Sequence, residues 1–339
     1  MNPLSAIVLD HEEYCRWNNF VRTAVNGTIY SETIWGEALN KIDPLLKYDV
    51  IAVKKGEEFL GGILIFIKRK KVIIPQFTPY ESVIYRRVDE RRNYELISER
   101  REINEAIADY LRKNYFRISV KQNHEYIDIR DFQFKGFESS FSYTYVNDLT
   151  SYDIEQVNRK ARREITKASE QNYSFEEVRD FTEFDLRRLL LPFFETMNRK
   201  VFRIDEDFKR RFIEMLKAIQ GRAVLYALSE ADNILSVRVE LIDNDEKVED
   251  WIAGTTMDGR EKRITSYFVH RILLDLKQKG YKYFDWNGAN TPGVTDFKNN
   301  FNGRLKPYAK IDGWKNKCYE LTYKTAVASY KSIKLFFAR

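Results

Sequence analysis

The residues best suited to chemistry gather in one stretch, Tyr281–Tyr308, YKYFDWNGANTPGVTDFKNNFNGRLKPY. Tyr281, Tyr283 and Asp285 alternate with Lys282, Phe284 and Trp286, which predicts a strand over Tyr281–Trp286. Asn287–Thr295, with Gly288, Pro292 and Gly293, reads as a loop. A short helical turn over Asp296–Phe301 follows, then Gly303 and a strand-like run toward Ile311. Lys298 lies between Phe297 and Phe301, so the aromatic rings can anchor the backbone while the ammonium points into a cleft. Asp285 ends the strand, where its carboxylate could take up a proton or orient an amine, or simply cap the Asn287–Gly288 turn. Ligands gather where strands end and loops begin, so this stretch is the candidate active-site edge.

A second concentration of charge lies on a predicted helix over Asp153–Gln171, which carries Arg159, Lys160, Arg162, Arg163 and Lys167. Guanidinium groups suit bidentate contact with phosphate, and a nucleotide-sugar, a lipid pyrophosphate or an RNA backbone would each satisfy such a face. A solvated helix face explains the same run without a ligand. His270 falls inside a predicted helix and reads as structural. No Ser-His-Asp elbow, HExxH or Walker loop is present, so no metal site is expected.

These residues need elements to hold them, and the elements come twice. Asp49–Val53, Phe59–Ile67 and Val72–Phe77 read as a three-stranded meander with turns at Lys55–Glu57 and Lys68–Lys71. A helix around Ile103, Ile107 and Leu111 follows, then a strand over Phe116–Val120. About 170 residues later the order recurs: Ala223–Leu228, Ile234–Ile242 and Lys247–Ala253, a helix over Ile264–Lys279 with Gly280 at its C-cap, and the strand that opens the active-site stretch. Further helices are expected over Glu183–Arg199 and Asp205–Ile219. A repeat this long means two similar domains rather than a solenoid. The expected class is α+β, each domain a mostly antiparallel mixed sheet flanked by helices. The expected bounds are 1–140, 141–318 and a basic amphipathic tail over 319–339.

Composition agrees with a globular chain. Its 339 residues include 23 Phe and 21 Tyr, enough for two cores, and its charged residues are of mixed sign. A net charge of +6 suits anionic partners without choosing among them. Two distant cysteines, Cys15 and Cys318, indicate neither a disulfide framework nor a zinc site. The opening MNPLSAIVLDHEEY lacks the apolar run of a signal peptide, and Phe59–Ile67 is too short for a membrane span. A cytoplasmic protein is expected, or one peripheral to the inner face of the membrane.

Meander, helix and strand in duplicate resemble the layout of a tandem acetyltransferase-like (GNAT) protein. The run FDWNGANTPGVTDFKNNFNG is similar to the strand, loop and FK turn of the FemAB superfamily and its CelD-like relatives. YTYVNDL followed by NRKARREITKA resembles the strand and basic helix that open the second domain in that group. The resemblance covers Tyr143–Ile311; Met1–Ser140 matches in element order. It implies an amide-forming transferase: FemAB proteins move an amino acid from aminoacyl-tRNA to a peptidoglycan-precursor amine, and other relatives move acyl groups from thioesters. Lys298 matches the family's FK lysine and would stabilise the developing oxyanion. Asp285 follows the pattern of the family's acidic residue, and Phe297, Asn302, Tyr308, Arg159, Arg162 and Arg163 would contact substrate.

One departure matters. Acetyl-CoA users carry a Q/R-x-x-G-x-G/A loop whose amides hold the pyrophosphate, whereas MDGREKRIT has Gly259 and no second glycine at the needed spacing. The leading expectation is therefore transfer of an acyl or aminoacyl group onto an amine of a cell-wall or polysaccharide precursor. No cofactor would be tightly bound, the donor being aminoacyl-tRNA or acyl-CoA. The acceptor would be a small-molecule or lipid-linked glycan precursor; the tail could rest on a membrane surface, giving peripheral membrane contact, or pack back on the second domain, the simpler reading. The alternatives are acyl-CoA-dependent N-acylation of an amino sugar, or a non-catalytic protein binding an anionic glycan or RNA. Oligomeric state is left open.

Overall fold

The computed structural model describes residues 4–88, 91–200, 204–316, 318–323 and 325. The chain forms two compact units. The first holds the chain to Gly27, Leu46–Phe141 and the chain from Ala309; the second holds Thr28–Leu45 and Ser142–Tyr308. Each unit thus takes a segment from the other half of the sequence.

In the first unit, strands Lys47–Lys55 and Glu58–Lys68 pair antiparallel across a turn where Gly56 adopts a φ of +61°, a conformation glycine enters at no steric cost. Strand Lys71–Ile73 follows antiparallel, and Arg117–Gln122 then pairs with it in parallel. That third strand is shorter than the expected Val72–Phe77, because Pro75 has no N–H for a ladder. Helix Asn93–Asn114 covers the sheet with Ile103, Ile107 and Leu111, all buried; its first turns are the charged residues that periodicity alone left out.

The second unit repeats this plan with additions. Its elements in chain order are α1 (Thr33–Ile42), β1 (Glu138–Asp148, in this unit from Ser142), α2 (Arg159–Ser169), β2 (Ser174–Val178), α3 (Glu183–Leu189), α4 (Leu191–Arg199) and α5 (Glu206–Ala218). Then come β3 (Ala223–Glu230), β4 (Asn233–Ile242), β5 (Lys247–Thr255), α6 (Met257–Glu261), α7 (Thr265–Gln278), β6 (Tyr283–Asp285) and α8 (Pro292–Asn299). The strand order is β1-β6-β5-β4-β3-β2, antiparallel except for the parallel pair β5–β6. Helix α7 lays Phe268, Ile272, Leu273 and Leu276 against the sheet, as its 3.6-residue spacing predicts.

Several bounds differ from expectation, each for a local reason. Asp153 caps a separate 3₁₀ turn, so the basic helix begins only at Arg159, where Asn158 accepts from Lys160 N. The Glu183–Arg199 region is two helices, parted before Pro192 at the start of the second. Edge strand β2, which was not foreseen, has an intermediate burial pattern with weak alternation. The Gly280 backbone turns to φ +89° and the strand starts only at Tyr283. The turn expected over Asp296–Phe301 is a longer helix, opened by Pro292 and closing at Asn299. Much of the predicted tail, including Val327, Tyr330, Ile333, Leu335 and Phe336, lies outside the described residues.

Candidate active site

The parallel pair β5–β6 is held over three residues only, Lys247–Glu249 against Tyr283–Asp285. Beyond it β5 continues to Thr255 while the other chain turns away at Trp286. A cleft of about 500 Å³ opens there, lined by every residue of Asp250–Thr255 and by Arg238, Trp286, Asn287, Phe297 and Lys298. Thr196, Arg199 and Lys200 of the α4 end, Arg260 and Thr265, and Gly293 and Val294 of α8 complete its wall. Helix α4 can approach because Gly254 has no side chain: a Cβ there would stand 2.3 Å from Phe193 N and Cα.

The loop after β6 is built from left-handed backbone, with Asn287 at φ +51° and Gly288 at φ +106°. Its amides turn inward. Asn287 N donates to Asp285 Oδ1 at 2.9 Å, Gly288 N donates to Thr144 Oγ1 at 3.0 Å, and that hydroxyl donates to Asp285 Oδ1 at 2.7 Å. Its carbonyls are gathered by Lys298, whose Nζ donates to Trp286 O and, at 2.8 Å, to Gly288 O. Asn147 ties the two ends together by accepting from Trp286 Nε1 at 2.6 Å and donating to Phe301 O at 2.6 Å. Trp286, Phe297 and Phe301 pack edge-on and tilted as an aromatic cluster, with centroids 5.2 to 6.3 Å apart, and fix α8 against β6. The phenylalanines on either side of Lys298 therefore anchor it as their spacing suggested.

Lys298 keeps only 11% of its side chain exposed, and burial lowers its ammonium below the ordinary lysine range, partly offset by Asp250. Its Nζ lies 3.9 Å from Asp250 Oδ2. That carboxylate also accepts from Arg238 Nη2, and Arg238 Nε lies 3.5 Å from Glu240 Oε1. Four charged side chains thus meet at the floor of the cleft, three of them 6% exposed or less. On the other face of β5, Glu249 pairs across the strands with Asp285, near Lys247, Asp243 and Tyr30; burial pushes the Glu249 carboxyl well up.

The other expected site residues scatter. Asp285 is fully buried behind the loop and serves as its turn cap. Arg159, Arg162 and Arg163 line a shallow depression on the outer face of α2 with Lys167, and Arg162 donates to Glu155. Asn302 donates weakly to Gln156 at 3.4 Å, and Tyr308 accepts from Asn290 at 2.8 Å; neither lines the cleft. His270 is buried against the Tyr152 hydroxyl at 2.9 Å.

Sequence reasoning passed over Arg238, Glu240, Asp250, Lys200 and Arg260. A signal existed for the first three. Val-Arg-Val-Glu-Leu over 237–241 and Val-Glu-Asp-Trp over 248–251 place charges inside apolar strand runs, where they are costly unless paired.

Residues 156–299 match the family model described as an acetyltransferase (GNAT) domain. The second unit therefore carries a GNAT domain, and the protein is an acyltransferase by class. No curated protein matches the chain in sequence. Among solved structures it is similar in fold to FemX, with 13% identity over 90% of this chain and 96% of that one and a TM-score of 0.65. The C-terminal domain of a putative lysylphosphatidylglycerol synthetase from Agrobacterium fabrum gives 12% identity over 93% and 96%, with a TM-score of 0.60. A tandem GNAT protein from the clavulanic acid biosynthesis pathway gives 12% over 92% and 99%, with a TM-score of 0.55. The tandem GNAT-like α+β architecture read from the repeat is the fold of the chain. Among the described residues no helix is long and apolar enough to cross a membrane, and no cluster of metal-binding side chains occurs.

Proposed function

We propose that the cleft at the β5–β6 opening transfers an aminoacyl group from aminoacyl-tRNA to an amine on an anionic cell-wall or polysaccharide precursor. The observation that carries this reading is Lys298, buried in the cleft wall with two of its three N–H groups committed to the Trp286 and Gly288 carbonyls. The third is left for the oxygen that gains charge as the amine attacks the ester carbonyl. Lys200 and Arg260 on the wall favour an anionic substrate.

The choice of donor rests on the segment before α7. GNAT enzymes as a family take acyl-CoA, held by open backbone amides at this turn. Here several of these amides are spent internally. Gly259 N donates to Thr256 Oγ1, Arg260 N to Thr256 O, Lys262 N to Asp258 O and Ile264 N to Gly259 O. Gly259 is used for close packing, since a Cβ would stand 2.7 Å from Leu235 O. That arrangement supports an aminoacyl ester over a coenzyme A thioester. The tRNA backbone would suit the exposed Arg159, Arg163 and Lys167 of α2.

Lys298→Ala is expected to reduce kcat by about 10²–10³-fold, the usual cost of one oxyanion donor. Unchanged turnover with aminoacyl-tRNA and acetyl-CoA alike would remove Lys298 from the chemistry. Tight binding of coenzyme A in calorimetry would overturn the choice of donor and favour N-acylation of an amino sugar.

A further inference from the structure

Glu240 and Asp250 are direct cross-strand partners on β4 and β5, at the bulge where the β4 register shifts between Val239 and Glu240. Facing residues in an antiparallel pair hold their Cβ atoms about 4.5–5.5 Å apart on one side of the sheet. Like charges in that position repel, and here both side chains are also shut away from water: Glu240 is fully buried and Asp250 nearly so. Their hydrogen bonding is incomplete in a complementary way. Asp250 Oδ2 is occupied by Arg238, but among the described residues no hydrogen-bond donor reaches Asp250 Oδ1 or either Glu240 oxygen. The nearest approach to Glu240 is Arg238 Nε at 3.5 Å. Two neighbouring carboxylates with free buried acceptors are satisfied together by one proton placed between them.

We infer that Glu240 and Asp250 form a carboxyl pair holding one proton, and that Asp250, the member lining the cleft, is the base for the attacking amine. This deepens the reading of the same cleft as a site of transfer to an amine and rests on it for the catalytic step. The groups facing the pair belong to the arrangement: Arg238 on β4 and Lys298 on α8 supply two positive charges, and the Tyr226 hydroxyl on β3 feels the charge of Glu240. Burial, then the charge of Asp250, holds the Glu240 carboxyl well above the usual range, in keeping with the pair retaining a proton at neutral pH.

The proton count closes. An acceptor R–NH₃⁺ gives one proton to Asp250 and becomes R–NH₂. The nitrogen lone pair forms the C–N bond at the donor carbonyl, and the bond to the leaving oxygen breaks as Asp250 returns that proton to it. The second ammonium proton leaves to solvent, so the products are amide, alcohol and H⁺. Glu240 is a positioning residue whose hydroxyl donates to Asp250 and sets its orientation.

The pair is tested first without substrate. The full chain, labelled with carboxyl-¹³C Asp and Glu, is examined by infrared difference spectroscopy at neutral pH as wild type, Glu240→Gln and Asp250→Asn. Buried Glu249 and Glu81 contribute to the protonated-carboxyl region in all three proteins, so the signal of the pair is the component lost in Glu240→Gln. The same component should be lost in Asp250→Asn, because Glu240 ionises beside Arg238 once its like-charged neighbour is gone. A Glu240→Gln spectrum identical to wild type overturns the pair. So does a component that is lost in Glu240→Gln but survives Asp250→Asn, which would mean a proton held by burial alone. The catalytic arm measures transfer against pH with aminoacyl-tRNA and acetyl-CoA each offered as donor. Asp250→Asn should lose about 10²–10⁴-fold in kcat, the range of general base catalysis. Glu240→Gln should remove the alkaline step from the pH profile, a change that loss of packing alone would not produce. A normal profile in Glu240→Gln overturns the shared role while leaving the transfer reading intact. A chain that transfers nothing but shows that component separates failure of that reading from failure of the pair.

Discussion

The two units share a plan and differ in what their central strands are made of. In the first, Val50–Val53 and Ile63–Phe66 run buried through strands Lys47–Lys55 and Glu58–Lys68 with no charge among them. In the second unit β3, the counterpart of the first of these strands, is likewise apolar over Ala223–Leu228, but β4, the counterpart of the second, buries Arg238 and Glu240, and β5 after it buries Lys247, Glu249 and Asp250. A buried ion pair rarely outperforms apolar residues of similar volume, so charges in these positions weaken a sheet that apolar residues would serve at least as well. Where the same architecture is built once with apolar strands and once with charged ones, the charged copy is the place to look for chemistry. The first unit shows what the fold requires; the second shows what has been added.

The largest expected effect breaks the added set. Arg238→Met should destabilise the chain by about 3–5 kcal/mol, because it strands Asp250 and Glu240 without their buried counter-charge. Urea unfolding of both proteins measures this, and a cost below about 1 kcal/mol, the level of an exposed pair, would mean the charges do not act together.

A matched pair of glycine substitutions sharpens the contrast. In Gly254→Ala the new methyl meets the α4 backbone at 2.3 Å; in Gly62→Ala it meets Ile51 O at 2.5 Å and the Trp17 ring at 2.8 Å. Each should cost about 1–3 kcal/mol through overpacking. Only Gly254→Ala should also lower kcat/KM for transfer, since α4 and the residue after it bring Thr196, Arg199 and Lys200 to the cleft. Equal kinetic losses would erase the distinction between the units.

The smallest effect is in pH dependence. Glu249 holds its proton to a higher pH in the folded chain than in the unfolded one. Its contribution to stability is therefore fully present below about pH 4.3, the ordinary glutamate value, and is lost as pH rises through the folded value. Glu249→Gln should reduce that alkaline loss, by at most about 1.4 kcal/mol per pH unit. Glu240 and Glu81, both buried and raised, act in the same direction, so the slope is lessened rather than abolished. A steeper decline in the variant would mean that Glu249 is ionised in the fold.

Periodicity and turn residues determined the element order, the repeat and the anchoring of Lys298 between Phe297 and Phe301, because these depend on neighbours a few positions apart. The strand-to-loop break at Asn287–Gly288 was legible for the same reason: only residues tolerant of left-handed backbone fit there. Pairing across the sheet was not legible. Nothing local places Glu240 opposite Asp250, since that contact depends on which strands pair and on a one-residue bulge in their register. Nor could spacing tell whether Asp285 faces the cleft or caps the turn behind it, a matter settled by the Thr144 hydroxyl 141 residues away. The sequence by itself determined two GNAT-like folds and a lysine at the end of a strand. Only the tertiary structure decided which charges stand beside that lysine, because burial and cross-strand contact are properties of the packed sheet rather than of any stretch of chain.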